Sequence, residues 1–282
     1  MGDKDIAEKH LEALNDVFAD IVNVLLFNGK RLMKEDELEV DTKDSQFKAD
    51  GKLHEQERDV SKLWKNGEVR ISILGFENQT VQDYKMPLRV ISYDGASYKQ
   101  QFLDDNLTKT YPVTTLVLYF GTEKRWTAPK SLYECFDVPE ELKPFVNDYK
   151  INVFEIAWLD DETINMFQSD FKHVAKYFQT KRLKKRFEGS NESIKHVDET
   201  LTMFVALTGD KLFQTAYNKI ILNKRGGVTM CDLAQGIYNE GKEDLIRKML
   251  DTNFATAQQI ADLLKISVEE VKKIAAKVPV KA

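Results

Sequence analysis

Only two cysteines occur in 282 residues, Cys135 and Cys231, and they lie far apart. That excludes a disulfide scaffold and a clustered-cysteine zinc site, and it fits two reduced thiols in a cytosolic protein. Histidine is also scarce. His10, His54, His173 and His196 are scattered, with no pair at metal-ligand spacing. No apolar run reaches the ~18 residues a membrane helix needs. The opening MGDKDIAEKH is charged, without an apolar signal core or the hydroxyl residue favoured for myristoylation. A soluble, cytoplasmic protein with no membrane partner is expected. A basic excess is missing too: 41 Lys and Arg against 46 Asp and Glu leave a net charge of -5. No global field draws in nucleic acid, so any such contact comes from a local patch. There is no glycine-rich phosphate loop and no GxSxG elbow, and LTGDK at 207–211 is a helix stop.

What is present is helical and strand periodicity in a chain long enough for one large domain or two smaller ones. Residues 5–28 predict a helix, with Ile6, Leu11, Leu14, Phe18, Ile21, Val22, Leu25 and Leu26 at helical spacing and Asn28-Gly29 as its stop. The polar, acidic stretch after Met33 predicts a loop, with a strand near Gln46–Ala49. Asp59–Gln79 predicts a β-hairpin turning at Lys65-Asn66-Gly67. MPLRVISYDGASYKQQFLDD, 86–105, predicts a helix with Pro87 in its first turn. YPVTTLVLYFG, 111–121, and DYKINVFEIAWL, 148–159, predict strands, joined by a loop with a short helix at PEELKPFV. This is an α/β plan with a mixed sheet flanked by helices. From about residue 160 the pattern is all helical. The expected division is a core over 1–180, a helical extension over 181–250 and a small helical tail over 251–282.

The stretch ISILGFENQT, 71–80, starts as a buried strand and ends in a carboxylate and an amide two residues apart. Strand side chains alternate, so Glu77 and Gln79 point the same way as Ile73 and Gly75. Asp59, near the start of the partner strand, is a third candidate. A two-residue Asn66-Gly67 turn pairs Asp59 with Leu74, on the face opposite Glu77. A three-residue loop with a bulge at Gly67 pairs Asp59 with Ile73, on the face of Glu77, and this is the register a shared metal needs. A short helix at DVSKLWKNG would remove the hairpin altogether. Two acids on adjacent strands suit Mg²⁺ or Mn²⁺, with Ca²⁺ as a third candidate, and such an ion neutralises phosphate charge and activates water. The backbone carbonyl of Asn78 is a further oxygen donor. The other reading is a strand running into a polar loop.

At these residues the chain resembles a known group. ERDV, ILGFENQT and MPLRVISYDGASY, together with NDVFADIVNVLLFNG, YPVTTLVLYFG and SLYECFDVPEELKPFVNDYKINVFEIA, are similar to the Rpn-type, transposase-like branch of the PD-(D/E)XK nuclease superfamily. The resemblance covers roughly the first two-thirds of the chain, with the motifs in family order. It implies a restriction-endonuclease-like mixed sheet flanked by helices, and metal-dependent DNA endonuclease activity that promotes recombination. It puts Asp59 and Glu77 on the motif acids, and Gln79 where the wider superfamily has lysine. A neutral amide only hydrogen-bonds where lysine would bring charge, so slower chemistry is expected.

Other residues carry paired readings. Asp20 and Asn23 share a face of the first helix. The resemblance makes Asp20 an auxiliary metal ligand, and the alternative is a structural cap or salt bridge. Arg89 and Tyr93, at i and i+4, either address the scissile phosphate or Glu77, or tie helix to sheet. KRLKKRF, 181–187, places Lys181, Arg182, Lys184 and Lys185 where they could track DNA phosphates, or simply solvate a helix end. The tail QQIADLLKISVEEVKKI, 258–274, fits a helix-turn-helix template with Ile260, Ala261, Leu264, Ile266, Val271 and Ile274 inside and Lys265 at the turn. Glu269 and Glu270 at the head of its second helix would repel phosphates, which favours a packing or assembly module over a sequence reader. The expectation is a DNA endonuclease, dimeric if it cuts both strands. A catalytically weak DNA-binding or regulatory protein is the alternative, and an RNase is the remote third.

Overall fold

The computed structural model describes residues 11–40, 45–49, 52–56, 60–65, 68–76, 82–105, 107–208, 213, 215–216, 218 and 227–276, with backbone alone for 40, 45–49, 52–56, 72–76 and 206. The first helix, α1 (Asn15–Leu25), is apolar round most of its circumference, and Val17, Phe18, Ile21, Val22 and Val24 are all buried. It ends at Leu25, short of the predicted residue 28, and the chain then turns through Asn28-Gly29. Both residues have positive φ (51° and 81°), and the Gly29 N–H donates to the Asn23 carbonyl at 2.9 Å. A Cβ on Gly29 would also meet Met166 Sδ at 2.8 Å, so that side chain would have to move.

The polar stretch after Met33 is a correction to the sequence reading. It carries three strands, β1 (Leu38–Val40), β2 (Ser45–Ala49) and β3 (Lys52–Gln56), of which only β2 is expected from the pattern. β2 and β3 form their own antiparallel ladder. The main sheet has the order β1-β4-β5-β6-β7, with β4 (Val60–Trp64), β5 (Val69–Phe76), β6 (Val113–Tyr119) and β7 (Asn152–Glu155). β1 with β4 and β4 with β5 pair antiparallel, whereas β5 with β6 and β6 with β7 pair parallel. The result is a mixed sheet.

The β4–β5 hairpin exists, so the short-helix alternative for this stretch is excluded. Its register is the second correction. Val60 lies opposite Ile73 and Trp64 opposite Val69, which is the register of the two-residue turn and not of the three-residue loop. Tertiary packing selects it. Val60 and Lys62 face the same way as Ile71, and all three are buried. A slip of one residue would turn Val60 and Ile71 to opposite faces. The Lys62 ammonium donates to Asn15 Oδ1 at 2.5 Å and lies 5.7 Å from the Phe18 ring centroid, which ties this face to α1. Burial lowers the Lys62 pKa.

The other face is covered by α2 (Met86–Leu103), which has Pro87 in its first turn as expected. Met86, Val90 and Tyr93 pack there with Val117, Tyr119, Trp126 and Ile151. Asp94 is buried beneath this helix. It accepts the Thr115 hydroxyl at 2.6 Å and the Tyr149 hydroxyl. The predicted strand over 148–159 is shorter than its pattern. β7 ends at Glu155, and Ile156–Trp158 is a 3-10 turn. The segment read as a helix at PEELKPFV contains only a 3-10 turn, Lys143–Phe145. Two helices follow β7: α3 (Asp161–Met166), capped by Asp160, and α4 (Phe171–Arg182). Phe171 and Phe178 of α4 pack on Phe120, with ring centroids 6.4 and 5.2 Å apart. The α5 helix (Val197–Thr208) comes next.

Two compact units divide the chain: Met1–Phe187 with Lys195–Gly209, and Glu188–Ile194 with Asp210–Ala282. The second holds α6 (Met230–Asp251), α7 (Ala257–Leu264) and α8 (Val268–Ala276). Thr229 and Thr256 cap α6 and α7 in capping boxes. Ile260, Ala261, Val271 and Ile274 are buried with Ile246, while Leu264 and Ile266 pack against them. Lys265 takes the left-handed turn at φ 53°. The helix-turn-helix packing is therefore as the tail pattern predicts, and Glu269 and Glu270 are exposed. Among the described residues, no helix is long and apolar enough to cross a membrane.

Candidate functional site

Asp59, Glu77, Asn78 and Gln79 lie outside the described residues, but the strands that flank them are described. Asp59 immediately precedes β4, and Glu77 immediately follows Phe76, the last residue of β5. Phe76 is in register with Tyr119, and Tyr119 with Glu155. The three parallel strands therefore end in one row. A crevice outside the carboxyl ends of parallel strands is a common place for ligands in α/β proteins.

Several side chains hold this end of the sheet together. Gln82 is the chief clamp, and no pattern in the sequence marks it. Its Oε1 accepts the Thr127 and Ala128 N–H groups at 2.6 and 2.8 Å. Its Nε2 donates to the Arg125 carbonyl at 2.6 Å and to the Tyr119 hydroxyl at 3.3 Å. The chain leaving the Glu77 segment is thus fixed to the loop after β6. In that loop Gly121 is required, because a Cβ there would collide with the Tyr119 hydroxyl. Glu155, at the end of β7, accepts the Trp126 N–H at 2.7 Å and the Arg125 guanidinium at 3.2 Å.

Arg89 donates to Asp83 at 3.1 Å and hydrogen-bonds Tyr93. Burial works against its charge, but Tyr93 and Asp83 outweigh this and raise its pKa. Tyr93 itself is buried in the core under α2. Cys135, in the same neighbourhood, is not an activated thiol. Burial pushes its pKa up, and the charges of Glu134 and Asp83 add to that.

Asp20 is buried in α1 (side chain 5% exposed), and both of its oxygens are engaged. Oδ1 accepts from Arg31, and Oδ2 accepts the backbone N–H groups of Gln168 and Ser169 at 2.8 and 2.7 Å. It anchors the break between α3 and α4 to α1. Asn23 does similar work one turn along, exchanging two hydrogen bonds with the Met33 backbone at 2.7 and 2.9 Å. His54 lies on β3, opposite Phe47. His196 bonds Asp16 at 2.8 Å. Among the described residues, no group of three or more His, Cys, Asp or Glu side chains is placed to hold a metal.

The basic run lies at the end of α4. Arg182 Nε donates to the Ala157 carbonyl at 2.7 Å, which puts this helix end beside the turn that follows β7. The guanidinium of Arg182 lies 4.6 Å from the Trp158 ring centroid, and that of Arg125 lies 4.7 Å from it. Lys181 lies over the Phe178 ring, and Lys184 is the left-handed residue that ends the helix. Lys184 and Lys185 are exposed. Arg182 is thus brought to the strand-end row, with Lys181, Lys184 and Lys185 beside it in the chain. Arg125 and Trp158, which no sequence motif marks, meet it there.

No curated protein and no solved structure matches the chain. A family model does match, over residues 49–205, more than half of the 282 residues, and that span includes β3 to β7, Asp59, Glu77 and the basic run. The chain belongs to the family described as "Putative transposase, YhgA-like".

Proposed function

We propose that this protein is a divalent-metal-dependent DNA endonuclease of the recombination-promoting, transposase-like type, built on a PD-(D/E)XK core. The observation that carries the reading is the family match, which spans Asp59, Glu77, Asn78 and Gln79. The described fold supports it: a mixed sheet flanked by helices, with the Glu77 segment leaving the row of parallel strand ends. The donor set also fits. Two carboxylates and a backbone carbonyl are hard oxygen ligands of the kind Mg²⁺ and Mn²⁺ prefer, and Ca²⁺ takes the same donors.

When bound, the ion supplies charge neutralisation at the phosphate and a more acidic water. Asp59 and Glu77 would hold it, and the Asn78 carbonyl would add a donor. The Gln79 amide orients the attacking water by hydrogen bonding, but it neither accepts a proton from it nor brings charge to the developing oxyanion. The described β4–β5 register does not bring Asp59 to the face of Glu77 by strand alternation. The hairpin therefore gives no support to a shared ion, and the pairing of Asp59 with Glu77 rests on the family match. Asp20 is left out of this metal set, because its oxygens already have protein donors. Purified protein should nick or cut plasmid DNA in Mg²⁺ or Mn²⁺ and not in EDTA. Intact plasmid under every metal condition sinks the reading.

A second reading is a catalytically weak DNA-binding or regulatory protein on the same scaffold. Gln79 in the lysine position favours it, together with the net charge of -5. Calorimetric titration with Mn²⁺ separates the two: metal binding without cleavage of any nucleic acid supports the second.

A further inference from the structure

We propose that Arg125 and Arg182, both stacked on Trp158, form a fork that grips phosphates of duplex DNA beside the strand-end row. The choice of DNA as ligand rests on the nuclease reading above. The fork itself rests on geometry. Trp158 is immobilised by its Nε1–H, which donates to the Gly121 carbonyl at 3.1 Å. Arg182 is fixed by its Nε–H on Ala157, and among the described residues its Nη atoms have no hydrogen-bond acceptor. Arg125 uses one Nη on Glu155 at 3.2 Å, and its side chain is 61% exposed. Two guanidiniums are therefore held against one ring, one of them paired with Glu155, and several of their N–H donors are unused. The nearby Asp161 does not cancel them, because Lys176 engages it at 2.7 Å.

Such an arrangement has lost its side-chain entropy before any ligand arrives, and guanidinium donors match phosphate oxygens in pairs. Cation–π stacking on the indole holds each guanidinium in place while leaving its N–H edge available to an anion. Because both arginines lie over the indole, it is not offered for base stacking. The contact is to backbone phosphate and carries no sequence preference. Lys181, Lys184 and Lys185 extend the same charge along the end of α4.

The test is anisotropy of a labelled DNA duplex in EDTA, where binding is read without cleavage, across a salt series on the full chain. Wild type is compared with Arg125→Gln, Arg182→Gln and the double variant. Lys109→Gln is the charge control, since Lys109 pairs with Glu68 at the opposite end of the sheet. Each arginine change should weaken binding and reduce the slope of log K against log salt by about 1, and the double variant by about 2, while the control matches wild type. If Arg182→Gln unsettles the fold, exposed Arg125→Gln decides alone. An unchanged slope for folded Arg125→Gln overturns the fork, as does wild type that binds no duplex. Plasmid cleavage in Mn²⁺ is run in parallel. Cutting with an unaltered slope leaves the nuclease reading standing without the fork. A reduced slope without cutting leaves the fork standing on a non-cleaving protein.

Discussion

Phe76 and Tyr119 are register partners at the carboxyl ends of two parallel strands, β5 and β6. That pairing fixes where the Glu77 segment leaves the sheet. It also explains why residues from the loops after β6 and β7 gather there. Gln82 completes the frame by reaching from the far side of that segment to Tyr119 and to the Arg125–Ala128 loop.

Gln82→Ala removes that clamp and leaves the Thr127 and Ala128 N–H groups without their acceptor. A loss of about 2 kcal/mol in urea unfolding is expected, with a fall in DNA cleavage larger than the stability loss explains. Full activity in a measurably destabilised variant would show that the clamp supports the fold and not the site.

Asp20 is predicted to be structural. Asp20→Ala leaves the Gln168 and Ser169 N–H groups without their acceptor and removes the pair with Arg31, which keeps its bond to the Met166 carbonyl; the cost should be about 2 kcal/mol. Asp20→Asn retains one acceptor oxygen and should lose less. Neither change should weaken Mn²⁺ binding in the folded protein. A tenfold weaker Mn²⁺ affinity at unchanged stability would return Asp20 to the metal set.

Acid should unfold the protein partly through Asp16. Burial raises its pKa, but hydrogen bonds from Lys195 and His196 and their charges outweigh this, leaving it below the usual 3.8. A carboxylate with a depressed folded pKa stabilises fully above its unfolded value, and that stability is lost as pH falls through the folded value. Asp16→Asn should therefore lower the urea midpoint at neutral pH, and flatten its pH dependence below 3.8. An acid limb as steep as that of wild type counts against this assignment.

Under the proposed function, Gln79→Lys places a cation at the position that orients the attacking water. Cleavage in Mg²⁺ should rise by about tenfold, because a cation is brought to the developing oxyanion. A variant that folds, binds Mg²⁺ and cuts no faster would mean that the water is placed by another group.

Much of the fold is legible where local chemistry is strong. The β-branched run of β6, Pro87 at the head of α2, the Asn28-Gly29 turn and the tail's buried positions each announce their structure. β1 and β3 are not legible, because LEV is only three residues long and KLHEQ is polar, and both gain strand structure through their ladder partners. The hairpin register is likewise tertiary. Lys65-Asn66-Gly67 permits two registers, and the choice falls with the shared burial of Val60, Lys62 and Ile71.

The site divides in the same way. The acids and the basic run are visible as types, whereas the Arg125–Trp158–Arg182 stack joins three distant segments with no local signature. Spacing puts Asp20 on a helix face, but its partners at 168 and 169 come from almost 150 residues further along.

The central claim is metal-dependent cutting that depends on the acid just past Phe76. The most direct measurement is the rate at which Glu77→Ala cleaves supercoiled plasmid in Mn²⁺, with its unfolding transition matched to wild type. The account predicts wild-type cleavage that EDTA stops, and background cleavage for the variant. Equal rates for the two proteins would contradict it.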